Sequence, residues 1–282
     1  MEAQSLENFF RDHQTTLQEK YPGINRNVFE RWLNVYREKA ELLSFYTDDS
    51  SNSFFITEVL KGTPFEYITK TSYFYDLELY VDSRVLIPRF ETERLLERTL
   101  ELFSKNTKPI RACDIGTGSG CLGLSLLRHL KCLEEIVLVD LEASALEVAK
   151  LNYSKLKFLF PQGPKVDFKE GDRLSQTKGL FDLIISNPPY IMENSDKEDV
   201  HRETYTHEPH KALFLKDNDY FEWFNEFFHS CFNQLTPEGV FAMEGSEKHL
   251  KELEKTIKNY SFSEVWLEKD YAKQDRFLFA KK

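Results

Sequence analysis

The chain has no long hydrophobic run. None of its apolar stretches approaches the ~20 residues that a helix needs to cross a bilayer, although 41% of its 282 residues are hydrophobic. Residues 1–7 contain neither a basic segment nor an apolar core, and they are too acidic for a typical transit peptide. We therefore expect a protein that is not exported, has no membrane partner and works in the cytoplasm.

Cysteine is scarce, and no two cysteines form a Cys-x-x-Cys pair. Three of the four lie in apolar stretches, so we expect reduced thiols in the core and a reducing compartment. The histidines are scattered: His207 and His210 lie in a polar segment without a companion cysteine, so they are predicted to be surface residues, and no metal site is expected. The four cysteines are Cys113, Cys121, Cys132 and Cys231.

Positive charge is also in short supply. Lysine and arginine number 37 against 47 aspartates and glutamates, which gives a formal net charge of −10. Affinity for nucleic acid comes mainly from clustered basic side chains on phosphates, and the sequence shows no basic stripe. The composition therefore disfavours DNA or RNA as a substrate, while its hydrophobic and charged shares are those of an ordinary globular protein of one or two domains.

The amino-terminal part of the chain predicts a small helical domain at residues 1–72, followed by a hairpin linker at 73–90. Apolar side chains recur every three or four residues, as the buried face of a helix requires. A polar loop at 48–53 precedes a third helix at about 54–60, and the segment from Tyr73 to Tyr80 alternates like a β-hairpin. The helical pattern comprises Leu6, Phe9, Phe10, Leu17, Val28, Trp32, Val35 and Leu42.

Residues 91–282 predict an α/β domain, because strands alternate with helices from residue 110 onward. That order implies a mostly parallel, Rossmann-like sheet of seven strands with helices on both faces. A polar, irregular stretch at 193–218 is long enough to serve as a lid or recognition loop, and a turn at 236–239 precedes the fifth strand. The predicted strands are 110–114, 135–140, 166–169, 180–186, 240–244, 262–268 and 276–280, and the predicted helices are 119–130, 143–153, 220–235 and 246–259.

A glycine-rich loop joins the first strand of this domain to its first helix. Glycine lacks Cβ, so the backbone of Gly116-Thr117-Gly118-Ser119-Gly120 can turn sharply and approach a ligand closely. Asp140 ends the second strand, where a carboxylate can accept hydrogen bonds from both hydroxyls of a ribose. No Gly-Lys-Ser/Thr follows, so the loop is not a P-loop. The pattern suits NAD and S-adenosylmethionine (SAM) almost equally.

A double-proline turn, Asn187-Pro188-Pro189-Tyr190, follows the fourth strand. Neither proline can donate to a sheet, so the strand ends there and the turn is held at the carboxyl edge of the sheet, where ligands bind. The Asn187 side-chain oxygen and the Pro188 carbonyl can accept hydrogen bonds from a planar NH2 group. The turn resembles the Asn-Pro-Pro-Tyr signature of methyltransferases that act on adenine, cytosine or glutamine nitrogens. It has no role in hydride transfer, and it therefore favours SAM over NAD.

The turn predicts a mechanism that needs no base. A carboxamide nitrogen is a poor nucleophile, and the sequence places no good general base near the turn. Instead, Asn187 and the Pro188 carbonyl would orient the two N–H groups and stabilise the nitrogen as it gains positive charge, while Tyr190 would fix its angle of approach. Asp172 and Arg173, which follow the third strand, are expected to contact the adenine of SAM.

Three segments together resemble the HemK/PrmC family of peptide chain release factor glutamine-N5 methyltransferases. Residues 62–68 are similar to the turn that ends the family's small helical domain, and residues 84–93 are similar to its Val-Leu-Ile-Pro-Arg-Pro-Glu-Thr-Glu signature. The third segment is the Asn-Pro-Pro-Tyr turn with Glu208-Pro209 and Ala212-Leu213 downstream. The resemblance covers about residues 60–280 and implies a class I SAM-dependent methyltransferase domain preceded by a small helical domain.

The resemblance also implies a role for each matching residue. Residues Gly116 to Gly120 would bind SAM, with Asp140 on its ribose and Asn187 facing the cofactor as well. The Asn187–Tyr190 turn would hold the substrate glutamine of the Gly-Gly-Gln motif in class I release factors. The enzyme would move a methyl group from SAM to the side-chain nitrogen of that glutamine, and the helical domain would add a second contact surface.

Three positions depart from the family pattern. Phe90 stands where the family usually has proline, residues 243–246 alter a usual Glu-Ile-Gly, and residues 271–276 replace a usual Leu-Ala-Gly-x-Asp-Arg. None of them touches the glycine loop or the proline turn, so we expect changes only in the substrate loop and at the sheet edge.

Three alternative functions stay open at the level of sequence. A glutamine methyltransferase of a ribosomal protein is disfavoured because that sister group reads Pro-Arg-Ser-Pro in the proline loop. A nucleic-acid methyltransferase, such as an adenine-N6 enzyme, would need a flipped or single-stranded base and a basic surface to guide it. A catalytically silent SAM-fold binding protein is disfavoured by the intact Asn187–Tyr190 turn.

Overall fold

The amino-terminal helices pack around one aromatic-rich core. The structure, a computed structural model, describes residues 3–39 and 52–282. Its first helices are α1 (Ala3–Lys20), α2 (Arg26–Glu38), α3 (Asn52–Lys61) and the short α4 (Phe65–Thr69). Side chains from α1, α2 and α3 meet with no exposure at Leu17, Phe29 and Phe55. Three parts of the prediction lie outside what the structure describes: Leu42, the loop residues 48–51, and the side chain of Leu6.

Local chemistry accounts for the bounds of these helices. The Asn25 side chain accepts a hydrogen bond from the Val28 N–H at 3.1 Å and thereby caps α2. The third helix begins at Asn52, two residues before its predicted start, and ends at Lys61, just before Gly62, whose φ of 86° suits only glycine well. Helix α4, which the sequence analysis missed, spans only five residues and shows no helical period.

The predicted hairpin is present as β1 (Thr71–Phe74) and β2 (Leu77–Tyr80). It is tied to the α/β part of the molecule by Asn152, a fully buried side chain. The Asn152 oxygen accepts a hydrogen bond from the Tyr80 N–H at 2.7 Å, and its amide group donates to the carbonyls of Tyr80 and Ser119, both at 2.9 Å. The hairpin is therefore anchored to the glycine-rich loop that contains Ser119.

The large sheet has seven strands: β3 (Ile110–Ile115), β4 (Leu133–Asp140), β5 (Lys165–Glu170), β6 (Phe181–Ser186), β9 (Leu235–Glu244), β10 (Glu264–Lys269) and β11 (Asp275–Lys281). Their spatial order is β10-β11-β9-β6-β3-β4-β5. The five strands from β9 to β5 are parallel, and β11 pairs antiparallel with both β9 and β10. This confirms the predicted Rossmann-like, mostly parallel α/β fold.

Helices cover both faces of this sheet. Four of them follow the pattern that the sequence predicts, although the last begins at residue 250 rather than 246. A further helix at residues 90–103, which the sequence did not lead us to expect, starts at Phe90 and buries Leu95, Leu96 and Thr99. These helices are α5 (Phe90–Phe103), α6 (Cys121–His129), α7 (Ala143–Leu156), α10 (Tyr220–Gln234) and α11 (Leu250–Ile257). Within the described residues, no helix combines the length and the apolar character needed to cross a bilayer.

The segment at 193–218 is more regular than predicted. It contains the short helices α8 (Arg202–His207) and α9 (His210–Leu213). Strand β7 (Ile191–Met192) pairs with β8 (Phe214–Leu215) across its base, so both ends of the segment are fixed together. In addition, the predicted turn at 236–239 lies inside β9 as a bulge, where Glu238 has a φ of 71°.

Candidate active site

A cavity of about 410 Å³ opens at the carboxyl ends of β3, β4 and β6. In an open parallel sheet this edge is where ligands bind, because the loops that follow the strands converge there. Nearly all the residues that the sequence predicts to bind SAM line this cavity. Its walls include Gly116, Thr117, Gly118, Ser119, Asp140, Asp172, Arg173 and Asn187.

The glycine loop forms one wall of this cavity with its backbone. Gly116 and Gly118 have φ values of 68° and 54°, which side chains with Cβ rarely adopt. A Cβ placed on Gly116 or Gly118 would meet no atom closer than 3.8 Å, so the space beside both residues is open. Gly120 does not line the cavity; its φ is 85°, and its neighbour is the Leu124 side chain, so it shapes the turn into α6.

Asp140 fixes the shape of the loop from the opposite side. One carboxylate oxygen accepts a hydrogen bond from the Gly118 N–H at 2.8 Å, and the other accepts one from the Glu142 N–H at 3.0 Å. Burial raises the pKa of Asp140, and these backbone donors oppose that rise. Each oxygen keeps a second lone pair, so the carboxylate can also accept from a ligand.

Asp172 and Arg173 reach the cavity from the loop after β5. The Arg173 guanidinium lies 3.0 Å from Asp172 and 2.9 Å from Glu226 of α10, and it stacks over the Trp223 ring. Its positive charge is therefore balanced within the protein. These contacts leave the indole of Trp223 and the Asp172 carboxylate at the rim of the large cavity.

The proline turn stands between two cavities. Asn187 and Pro188 line both the large cavity and a second one of about 240 Å³, while Pro189 faces only the first and Tyr190 only the second. The Tyr190 main-chain oxygen accepts a hydrogen bond from the buried Tyr220 hydroxyl at 3.0 Å. The turn is thus a shared wall, and it is held rigidly by the two prolines and by α10.

A buried carboxylate that the sequence analysis did not place lies behind this turn. Glu244, at the end of β9, is 1% exposed. It accepts hydrogen bonds from the Tyr190 hydroxyl at 2.9 Å and from the Thr92 hydroxyl at 2.6 Å. Thr92 in turn accepts one from the Asn187 amide at 3.1 Å. The sequence analysis expects no good general base near the turn, and Glu244, although a carboxylate, reaches Asn187 only through Thr92.

The segments around residues 86–89 and 208–215 close the large cavity together. Glu208 is buried, and its carboxylate lies 2.5 Å from the Arg89 guanidinium and accepts a hydrogen bond from the Ile87 N–H at 3.0 Å. Leu86 and Arg89 on one segment and Ala212 on the other line both cavities. The two sequence segments that resemble the family's signature are therefore direct partners in space.

The wall of the smaller cavity also depends on a buried acid, Asp196. Its carboxylate accepts hydrogen bonds from the Met192 N–H at 3.1 Å and from Lys248 at 3.3 Å, and it lies 2.8 Å from the His249 ring. These contacts lower the pKa of Asp196 even though its burial acts in the opposite direction. The segment after β7 is thereby joined to the loop after β9.

Two of the departures from the family pattern meet at the surface. Phe90 is 63% exposed and stacks on Tyr271 with 5.0 Å between the ring centroids. Helix α5 begins at Phe90, the position where the family usually has proline. In the described part of the chain, no group of three or more His, Cys, Asp or Glu side chains could hold a metal ion.

Comparison with known proteins agrees with this geometry. The family model described as Methyltransferase small domain matches residues 91–213. Among solved structures, the hMettl16 catalytic domain in complex with a MAT2A 3'UTR hairpin is 14% identical with a TM-score of 0.56, over 73% of this chain and 75% of that chain. The 16S rRNA N2 G1207 methyltransferase RsmC of T. thermophilus is 18% identical with a TM-score of 0.52, over 75% and 49%. At these identities the likeness shows the fold alone.

Sequence relatives are more specific. The release factor glutamine methyltransferase of Leptospira interrogans is 34% identical over 264 residues, which are 92% of this chain and 83% of the relative. The protein of the same name from Flavobacterium psychrophilum is 32% identical over 229 residues, 79% of this chain and 77% of the relative. The chain therefore belongs to the family of release factor glutamine methyltransferases.

Proposed function

We propose that this protein transfers a methyl group from SAM to the side-chain amide nitrogen of the glutamine in the Gly-Gly-Gln motif of class I peptide chain release factors. The observation that carries the proposal is the shared wall: Asn187 and Pro188 line a large cavity and a smaller one at once. A donor in one cavity and an amide in the other would meet at this wall. The names of the relatives supply the identity of the substrate protein.

The large cavity fits SAM. Gly116, Thr117, Gly118 and Ser119 would hold the cofactor with their backbone, while Gly120 shapes the turn. Asp140 would accept the ribose hydroxyls, because each of its oxygens has a free lone pair besides its backbone hydrogen bond. Asp172, Arg173 and the Trp223 ring would surround the adenine, and Asn187 would close the far end. When bound, SAM supplies a methyl group on a sulfonium, which makes that methyl electrophilic.

The proline turn would orient the glutamine amide. The Asn187 oxygen and the Pro188 carbonyl would accept from its two N–H groups, and the side chains of Pro189 and Tyr190 would limit its approach. As the nitrogen bonds to the methyl carbon and the sulfonium S–C bond breaks, the nitrogen gains positive charge, and the same two acceptors stabilise it more strongly than in the ground state. The methylated nitrogen then loses one of its two N–H protons to water, which leaves a neutral secondary amide. Catalysis would thus be carried by Asn187, Pro188 and Tyr190 through placement and charge stabilisation.

The finer assignments belong to the proposal as well. The helical domain at residues 1–72 would form the second contact surface for the release factor, joined by the hairpin linker at 73–90 to the methyltransferase domain at 91–282. We infer a cytoplasmic enzyme because all four cysteines are free thiols, two of them fully buried. We also infer that nucleic acid is not the substrate, because the chain carries a net charge of −10.

A transfer assay tests the proposal. The purified protein and methyl-labelled SAM are incubated in four separate reactions, each with one possible acceptor. The acceptors are an unmethylated release factor, a release factor whose Gly-Gly-Gln is changed to Gly-Gly-Ala, a ribosomal protein fraction, and bulk RNA. Label on the unaltered release factor alone is the expected result. Label on RNA or on ribosomal protein, or equal label on the Gly-Gly-Ala variant, would contradict the proposed substrate.

A further inference from the structure

Four polar side chains from distant parts of the chain form one hydrogen-bonded series at the shared wall. The series runs from Asn187 to Thr92 at 3.1 Å, from Thr92 to Glu244 at 2.6 Å, and from Glu244 to Tyr190 at 2.9 Å. Thr92 and Glu244 are each only 1% exposed. Neither Thr92 nor Glu244 belongs to the proline turn. Through them, the series joins Asn187 and Tyr190, the first and last residues of that turn, by way of the protein interior.

When Glu244 is ionised, the direction of each hydrogen bond in the series follows from counting hydrogens and lone pairs. An ionised carboxylate has no hydrogen to donate, so both the Thr92 and the Tyr190 hydroxyls must donate to Glu244. A hydroxyl has one hydrogen, so Thr92 can offer only a lone pair to Asn187. The Asn187 side chain must therefore present its NH2 group to Thr92, and its oxygen is left facing away from Thr92.

The surroundings of Glu244 bear on its charge. Burial raises the pKa of Glu244, and Glu91 at the start of α5 acts in the same direction. The hydroxyls of Thr92 and Tyr190 and the positive charge of Arg276 on β11 oppose that rise. On balance the pKa of Glu244 is raised; we take its carboxylate as ionised at neutral pH, the form that the two donated hydrogen bonds and the Arg276 charge favour.

We propose that Glu244 and Thr92 are positioning residues that fix the Asn187 amide with its oxygen toward the substrate nitrogen. The inference deepens the proposed function and rests on it, because methyl transfer to an amide needs an acceptor at this position. The opposite orientation of Asn187 would point two N–H donors at the N–H groups of the substrate. The buried series excludes that orientation before the substrate arrives, so the acceptor is preorganised.

Replacing Thr92 by an isosteric side chain tests the inference. Thr92→Val removes the hydroxyl and keeps the shape, and Thr92→Ser keeps the hydroxyl. We expect Thr92→Val to lower kcat about 10-fold, near the upper end for one lost hydrogen bond, with KM for the release factor and the Kd of SAM changed less than about 2-fold. Thr92→Ser should retain most of kcat. The matched control is Thr99→Val, which removes another fully buried hydroxyl on α5, one that donates to the Leu95 carbonyl.

Two outcomes would overturn the inference: an unchanged kcat in Thr92→Val, or an equal loss in Thr92→Ser. If Thr92→Val does not fold, Glu244→Gln and Glu244→Leu decide instead. A glutamine can accept from Thr92 with its oxygen and donate to Tyr190 with its amide, so it preserves the orientation of Asn187, whereas leucine does not. Equal loss of kcat in both Glu244 variants would contradict the inference.

A second readout does not depend on turnover. The side-chain amide protons of Asn187, assigned in a 15N NMR spectrum by their loss in Asn187→Ala, should exchange slowly in the parent and in Thr92→Ser but fast in Thr92→Val. Equal exchange in Thr92→Val and the parent would overturn the inference. Failure of the parent to methylate the release factor would instead count against the proposed function, so the two failures can be told apart.

Discussion

The Arg89 guanidinium lies 2.5 Å from the Glu208 carboxylate and joins two segments that are 119 residues apart in sequence. The Glu208 side chain is 2% exposed, whereas that of Arg89 is 31% exposed. Glu208 also accepts the Ile87 N–H, so it holds both the backbone and the side chain of the opposite segment. The pair therefore fixes the distance between the two segments that border both cavities.

The unequal burial of this pair predicts an unequal response to mutation. Arg89→Met leaves a buried carboxylate without its partner and should lower the free energy of unfolding by about 3–5 kcal/mol. Glu208→Gln leaves an arginine that can reach water and an amide that can still accept, so we expect a smaller loss of about 1–3 kcal/mol. Urea unfolding of both variants measures the difference.

The control for this prediction is an exposed pair. Lys255 lies 2.9 Å from Glu252, and their side chains are 74% and 56% exposed, so Lys255→Met should change the free energy of unfolding by less than about 1 kcal/mol. Equal losses in Arg89→Met and Glu208→Gln, or a larger loss in the latter, would contradict the argument from burial.

Asn187→Ala should impair turnover far more than cofactor binding. Removing one preorganised hydrogen-bonding group typically costs about 2.7–4 kcal/mol in the transition state, so we expect kcat to fall by about 100- to 1,000-fold. Rates at saturating SAM and release factor, together with the Kd of SAM, provide the measurement. Asn233→Ala, at an exposed position of α10, is the control. A folded Asn187→Ala variant that binds SAM and has the kcat of the parent would contradict the mechanism.

Asp140→Asn should weaken the binding of SAM. The substitution removes the negative charge and one of the two oxygens that hold the Gly118 and Glu142 N–H groups. A hydrogen bond to a charged group contributes about 1.5–3 kcal/mol, so the Kd of SAM should rise about 10- to 100-fold in a calorimetric titration. Glu170→Gln, an exposed carboxylate at the end of the adjacent β5, should leave the Kd unchanged. An unchanged Kd of SAM in Asp140→Asn would show that Asp140 does not bind the cofactor.

Asp114 predicts a pH dependence of stability. Burial raises its pKa from 3.8 to about 6, and hydrogen bonds from Thr117 and the Gly123 N–H oppose that rise. The folded protein therefore binds this proton more tightly than the unfolded chain, so the free energy of unfolding falls as pH rises through the window between these two pKa values. From pH 4.5 to 7.5 the loss due to this group is about 2 kcal/mol.

Asp114→Asn isolates this contribution, because an amide does not titrate. Urea unfolding of the parent and of Asp114→Asn at both pH values gives the difference in slope. We expect the parent to lose about 2 kcal/mol relative to the variant on going to the higher pH. A parallel pH profile of the two proteins would show that Asp114 has the same pKa in the folded and unfolded states.

The sequence predicts the sheet well because its signals are local. Strand β6 is centred on the apolar run at residues 183–185 and ends just before Asn187 and the double proline, and the glycine loop lies directly between β3 and α6. Both features are read from neighbouring residues, and together they place the cofactor edge of the sheet. The short helices α8 and α9 span only six and four residues, too few for a helical period to be visible.

Glu244 shows what the sequence conceals. Ser186 pairs with Met243 in parallel register, so the residues that follow, Asn187 just after β6 and Glu244 at the end of β9, lie side by side. That proximity depends on β9 lying next to β6, a fact about strand order that spacing along the chain does not reveal. The helix α5, which delivers Thr92, carried a signal in Leu95, Leu96 and Thr99 that the sequence analysis did not use.

Asn152 limits how the molecule could be shortened or recombined. A truncated version starting at residue 91, where the family-model match begins, would lose both Tyr80 partners of a fully buried amide. A minimal enzyme would therefore have to keep the hairpin. Exchange of the helical unit for a different recognition module is better placed at Lys70, where α4 ends in a left-handed residue with a φ of 52°. Grafting at that point would leave every hydrogen bond of Asn152 intact.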